Sequence, residues 1–282
     1  MPETSPGRAR TDVADFWDRA IAVWLSGRRD QRDPLGRWMD SYTPDEGASF
    51  EAEYYPEPFV GDLRGLHREP RLVVLGAGPG VGHARAQARD GVWAERVAAV
   101  GYSHCFERSP LGDPATWSEL SIRPSRHWDG LVRFARRWLN DPSAAADDVL
   151  EMYLYPWHTR SLSGSLEPPR DIIDAFVWQP IAEIGVAHVF AFDDRWSSLA
   201  SGLGLPVLAR WGAEGGQLSG GGAGGGWRCR VYGLPSGQQL VVSSQTAFQG
   251  PPGPDRLPVL RRILARDDAV PEVEAVQRLS AS

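Results

Sequence analysis

Lysine is absent from all 282 residues, so every one of the 30 basic side chains other than histidine is an arginine. That absence excludes a Walker-type phosphate loop, a pyridoxal Schiff base and a lysine-driven lyase reaction, each of which needs a primary amine. Cysteine is nearly absent too. Cys105 and Cys229 stand far apart with no Cys or His at metal-ligand spacing, which points away from a disulfide framework and a zinc site. No run approaches the roughly 18 uncharged apolar residues of a membrane span, and Met1 to Arg10 are polar, without an apolar signal core. A cytoplasmic, monomeric protein without a metal or organic cofactor and without a membrane partner is expected.

What is present is a chain with 42% hydrophobic residues, long enough to bury a full core, and a formal charge of −6. That charge argues against a wholly basic surface and leaves room for a local one. Twelve tryptophans are many for this length and are read mainly as packing.

The most informative stretch is residues 71 to 83. Leu72 to Leu75 are apolar without alternation, the pattern of a strand covered on both faces, and Gly76, Gly78, Gly80 and Gly82 follow at once. Elsewhere, residues 1 to 10 are expected to be disordered. Val13 to Ser26 has helical spacing with Asp12 as N-cap, and residues 40 to 70 should be irregular. Helices are predicted over 84–100, 128–139, 171–184, 196–203 and 257–265. Strands are predicted over 149–155, 187–192, 207–210, 227–232 and 240–243, and the glycine-rich segment 215–226 reads as a mobile loop.

Strands alternating with helices imply an α/β fold, a three-layer sandwich with a central, mostly parallel sheet. Residues 1–40 read as a helical extension packed on a main domain of 41–282. Ligands in such sheets bind beyond the carboxyl ends of the strands, where loops 76–83, 155–161, 193–196 and 243–250 are expected to converge. A dinucleotide or adenosylmethionine turn is a competing reading of the glycine loop, yet Val81 stands where the third glycine of that pattern belongs.

The order of motifs resembles the uracil-DNA glycosylase superfamily. Tyr55-Pro56-Glu57-Pro58-Phe59-Val60-Gly61-Asp62 and the following Val73 to Gly80 look like the entry and first motif of its divergent bacterial branches. Val149 to Tyr153 is similar to the strand carrying the base-reading side chain, His188 to Phe192 to the strand before the last motif, and Leu240 to Gly250 to the last motif itself. The resemblance implies a cofactor-free DNA glycosylase-like protein that hydrolyses the N-glycosidic bond of a modified or noncanonical base, with DNA as partner. Two departures stand out: Ala77 or Gly78 replaces the family's water-activating acid or amide, and Gln245 replaces its histidine. They keep open a catalytically silent nucleic-acid-binding module, and the glycine turn keeps open a nucleotide-cofactor-dependent enzyme.

On this reading Glu151 accepts hydrogen bonds from an exocyclic amine, Gln245 donates to a base carbonyl, and Trp157, Tyr102 or Phe106 stacks on the base. Gly78, Pro79 and Gly80, with His83 and Arg195, contact phosphate or backbone. His158 is the candidate general base or electrostatic group, because it follows a strand end and imidazole titrates near neutrality. Asp194 is the candidate for orienting a water. The plainer alternatives are a histidine tying down a proline turn and, for Asp194 and Arg195, a helix start with a solvated ion pair. The sets Arg133/Arg136/Arg137 and Arg123/Arg126 read first as a solvated helix face, with a DNA-facing surface as the alternative.

Overall fold

A computed structural model of the chain describes residues 7–28, 32–106, 126–212, 226–245 and 250–265. The chain forms two compact units, Met1–Val186 and Ala187–Ser282. It is an α/β protein with a mixed sheet in which the strands joined through helices run parallel.

In the first unit, β1 (Tyr42–Pro44) pairs antiparallel with β5 (Gly164–Leu166). β3 (Leu72–Gly76) and β4 (Val149–Tyr153) are parallel, with Leu72 opposite Val149 and Gly76 opposite Tyr153, and the short β2 (Phe59–Val60) runs antiparallel along β4. All five residues of β4 and Leu72 to Leu75 of β3 are buried, as their unalternated apolar pattern requires.

Helix α1 (Arg8–Leu25) buries Val13, Ala14, Trp17, Ala20, Ile21 and Trp24 on one face, and the short α2 (Leu35–Asp40) buries Leu35 and Trp38. It begins four residues before the expected Asp12 cap, so residues 8 to 10, expected to be disordered, form its first turn. Two distant partners explain the difference. The Glu183 carboxylate accepts the backbone N–H groups of Ala9 and Arg10, both at 3.0 Å, and Arg10, 6% exposed, donates to Glu69 at 2.8 Å. Trp17, Trp38 and Trp157 meet with ring centroids 5.7 to 6.4 Å apart, and Phe176 joins Trp17 and Trp38.

The expected helix over 84–100 is two helices, α3 (Ala84–Gln87) and α4 (Val92–Val100). Ala88 adopts an extended backbone and forms a bridge with Tyr54, and a turn closed by Gly91 N–H to Ala88 C=O separates them. After α5 (Tyr102–Phe106), α6 (Arg126–Trp138) buries Trp128, Leu131, Phe134 and Ala135. Of its arginines, Arg136 donates to the Ala144 carbonyl at 2.8 Å; Arg123 lies outside the described residues. A continuous helical run follows: α7 (Arg170–Ile173), a π turn (Asp174–Trp178) and α8 (Gln179–Ala182).

In the second unit, β6 (His188–Ala191) is parallel to β9 (Gln239–Gln245), while β8 (Trp227–Gly233) is antiparallel to both β9 and β7 (Val207–Trp211). Helices α9 (Arg195–Gly202) and α10 (Leu257–Leu264) complete it. The predicted loop 215–226 lies, apart from Gly226, outside the described residues. Among the described residues, no helix is long and apolar enough to cross a membrane.

A buried carboxyl and histidine cluster as candidate functional site

Residues i and i+2 of a strand share a face, so Glu151 and Tyr153 project together from β4 toward the neighbouring β3. Gly76 makes room for them. A Cβ there would lie 2.6 Å from the Tyr153 ring and 2.9 Å from Glu151 Oε1, so only glycine fits without displacement. The Tyr153 hydroxyl donates to Glu151 Oε2 at 3.0 Å, and Nε2 of His127, at the start of α6, lies 2.9 and 3.1 Å from the two carboxylate oxygens. Glu151 is 1% exposed and the His127 side chain 43%, so the imidazole stands between the carboxylate and solvent. The Glu151 charge, more than the opposing cost of burial, raises the His127 pKa above 6.5.

The chain from Phe50 to Glu57 runs alongside residues 156–159. Glu51 N–H donates to the His158 carbonyl and Glu57 N–H to the Pro156 carbonyl, both at 2.8 Å, and Phe50 bridges Thr159. Pro56 and Pro58 hold this stretch extended and leave Glu57 as the only charged residue between Tyr54 and Val60. Its carboxyl is buried, with Oε1 accepting from Gln87 Nε2 at 2.7 Å; Gln87 Oε1 in turn accepts the His83 N–H at 2.6 Å. Burial pushes the Glu57 carboxyl up to about 7; Gln87 opposes the shift and the Glu151 charge adds to it.

His158, 1% exposed, places Nδ1 3.2 Å from the Gly80 carbonyl and Nε2 3.8 Å from Glu57 Oε2. Burial brings its pKa down to about 4, against the opposing effect of the Gly80 carbonyl. The ring is therefore neutral at pH 7, with its proton on Nδ1 and a lone pair on Nε2, which has no hydrogen-bond partner. At 3.8 Å the Nε2 to Oε2 contact is too long for a hydrogen bond. Tyr153, Tyr102 and Tyr55 surround the acid; burial holds all three phenols well above 10, helped at Tyr153 by the Glu151 charge and then the Glu57 charge, and at Tyr102 and Tyr55 by the Glu57 charge.

The glycine loop is pinned along its length. The Gly76 and Ala77 carbonyls accept from Leu154 and Tyr155 N–H, and the Gly80 carbonyl from Thr159 N–H, each at 3.0 Å. Gly80 is left-handed at φ +79. Gly82 N–H donates to Glu51 Oε2 at 3.0 Å, and the other oxygen, Oε1, takes Arg160 Nε at 3.3 Å.

The structure thus gathers Glu151, His158, Gly78, Pro79, Gly80 and His83 around the ends of β3 and β4. Trp157 and Tyr102 are also there, but as core: Trp157 packs among Trp17, Trp38 and Tyr155, and Tyr102, fully buried, donates its hydroxyl proton to the Phe59 carbonyl. Asp194, Arg195 and Gln245 belong to the second unit. Asp193 accepts the Arg195 N–H and guanidinium at 2.8 and 2.9 Å, and Asp194, at the start of α9, forms a half-exposed pair with Arg228 at 2.6 Å. Gln245 ends β9 opposite Trp227, half-buried. Glu57, Gln87, His127, Tyr153 and Glu51 were not among the predicted site residues. Only Glu57 carried a local signal, an acid between two prolines in an apolar run.

Among the described residues, no cluster of three or more His, Cys, Asp or Glu is placed to hold a metal ion. Compared with known proteins, the chain matches no family model, no curated protein and no solved structure. The chemistry of the cluster is therefore read from its own groups: a carboxyl that titrates near neutral pH, a neutral imidazole beside it, and a second carboxylate held by an imidazole and a phenol.

Proposed function

We propose that the first unit carries the reaction centre of a glycosylase-like protein that hydrolyses the N-glycosidic bond of a modified or noncanonical base in DNA. The observation that carries this reading is Glu57: a buried carboxyl whose pKa of about 7 suits a general base at neutral pH, at the carboxyl end of a parallel strand pair beside a glycine loop. The reading draws further on the order of motifs in the sequence, which resembles the uracil-DNA glycosylase superfamily.

In this mechanism ionised Glu57 takes a proton from water as the water oxygen bonds to the sugar carbon. The carbon–nitrogen bond breaks, and the base leaves with the bonding electron pair and is protonated from solvent. Glu57 stands in for the acid or amide missing at Ala77 and Gly78. His158, with too low a pKa to compete as base, lies beside Glu57 and hydrogen-bonds the Gly80 carbonyl of the glycine loop. Glu151 reads a base that presents N–H donors.

The test is base release from DNA containing uracil, hypoxanthine, mismatched or hydroxymethylated bases. Release that rises with pH through about 7 and vanishes in Glu57→Gln, with the variant folded, supports the reading. Release unaffected by that substitution, or none from any base, overturns it. One observation favours a second reading, a silent nucleic-acid-binding module: both Glu151 oxygens are already engaged by His127 and Tyr153. Saturable, salt-sensitive DNA binding without an abasic product would select that reading.

A further inference from the structure

Helix α1 and the helical run that ends in α8 lie antiparallel within the first unit. The Glu183 carboxylate accepts the Ala9 and Arg10 N–H groups at one end, and the Phe16 and Phe176 rings meet edge to face at 4.8 Å toward the other. Between them lies an open cavity of about 740 Å³, a volume in the range of small-molecule sites. Ala9, Ala175 and Ala182 line it, and their short side chains leave the space. Val13, Phe16 and Phe176 form an apolar floor on which both phenylalanines are only half-buried. Ala175 and Phe176 belong to the π turn, in which Gln179 N–H bonds back five residues to the Asp174 carbonyl and Pro180, without an N–H, follows. A π turn inside a helical run is rare and recurs at functional sites.

The charges around the cavity do not balance. Asp12 pairs with Arg8 at 3.4 Å and Glu183 holds the start of α1, so both acids of the lining are engaged. Arg19, exposed one turn beyond Phe16, forms no ion pair among the described residues. The acids nearest to it on its helix, Asp15 and Asp18, are held by Arg64 at 2.5 and 3.1 Å. An uncompensated guanidinium therefore stands beside the aromatic end of an apolar floor.

We infer that this cavity binds a small aromatic carboxylate, with its ring against Phe16 and Phe176 and its carboxylate on Arg19. The inference is independent of the reaction proposed above. A planar guanidinium takes a carboxylate through two parallel N–H···O bonds, and a ring gains from edge or offset contacts with the half-buried phenylalanines. One free guanidinium matches one negative charge, which favours a monocarboxylate over a phosphate ester. A cationic ligand would meet Arg19 unscreened by any acid of the lining.

The experiment is an NMR chemical-shift titration of the full chain with 3-phenylpropionate and with its uncharged counterpart, 3-phenylpropionamide. Saturable shifts centred on residues 8–19 and 175–183 are expected with the carboxylate. The amide should bind about twofold to fivefold more weakly, the range of an exposed ion pair. Arg19→Gln, at an exposed position that leaves the fold intact, should bring the carboxylate down to the affinity of the amide and leave the amide unchanged. Ala175→Leu, which fills the cavity without altering charge, should weaken both ligands alike. The inference is overturned by the absence of saturable shifts with the carboxylate, by shifts centred elsewhere, by equal affinities for the two ligands, or by unchanged carboxylate binding in either variant.

Discussion

His158 Nε2 faces Glu57 Oε2 at 3.8 Å, and burial moves the two groups in opposite directions, the imidazole down to about 4 and the carboxyl up to about 7. Between pH 4.5 and 6.5 the folded pair therefore holds one proton on the carboxyl, where the unfolded chain holds it on the imidazole. Equal proton numbers in the two states mean that the pair adds no pH slope to stability in that window.

Removing either member exposes the other. In Glu57→Gln the lowered His158 remains: its share of stability is present above pH 6.5 and is lost as pH falls toward about 4. The loss should be on the order of 2 to 3 kcal/mol. In His158→Gln the raised Glu57 remains: its share is present below pH 4.5 and is lost as pH rises through about 7. Urea unfolding across pH 4 to 8 reads both slopes. Identical pH dependence in Glu57→Gln and the wild type would show that the two groups are not the offsetting pair.

The elements that were legible in the sequence are those whose signal is local. Leu72 to Leu75 announce a buried strand because both faces are covered, and α6 appears in the 3.6-residue spacing of Leu131, Phe134 and Trp138. The early start of α1 was not legible, because Glu183 and Glu69, which hold Ala9 and Arg10, lie far along the chain. The break between Gln87 and Val92 does carry a local signal, Asp90-Gly91, where a Cβ at Gly91 would lie 2.6 Å from the Ala86 carbonyl oxygen; the bridge from Ala88 to Tyr54 that accompanies it is legible only in the fold. At the site, the glycine loop and His158 could be found from strand ends. Their neighbours, Glu57 beside His158 and His127 on Glu151, meet them only through the fold.

Gly76 is required by contact rather than by backbone angle. Gly76→Ala places a methyl 2.6 Å from the Tyr153 ring and 2.9 Å from Glu151 Oε1, both on buried side chains. Overpacking of this kind costs about 1 to 3 kcal/mol. A lowered urea midpoint with an unchanged m-value is expected. A midpoint equal to that of the wild type would mean that the ring and carboxylate shift freely.

Glu51 fixes the far end of the glycine loop. Glu51→Ala removes the acceptor of Gly82 N–H and should cost about 1 to 3 kcal/mol if that amide finds no other partner. Arg160→Ala, at an exposed guanidinium, should cost no more than about 1 kcal/mol. Hydrogen exchange separates the two: Gly82 loses protection in Glu51→Ala and keeps it in Arg160→Ala. Equal protection in both variants would place the anchoring of the loop elsewhere.

The two imidazoles of the cluster should titrate on opposite sides of 6.5. His158 lies at about 4 because burial dominates, whereas His127, half-exposed against the Glu151 charge, lies above 6.5. A raised histidine stabilises the fold below its unfolded pKa and loses that share as pH rises through the folded one, the reverse of His158. Glu151→Gln removes the charge that holds the His127 proton, leaving burial to act alone. The His127 midpoint, followed by NMR of the ring protons, should then fall below its wild-type value while that of His158 stays in place. A His127 midpoint that does not move in Glu151→Gln would break the link between the Glu151 carboxylate and the ring that separates it from solvent.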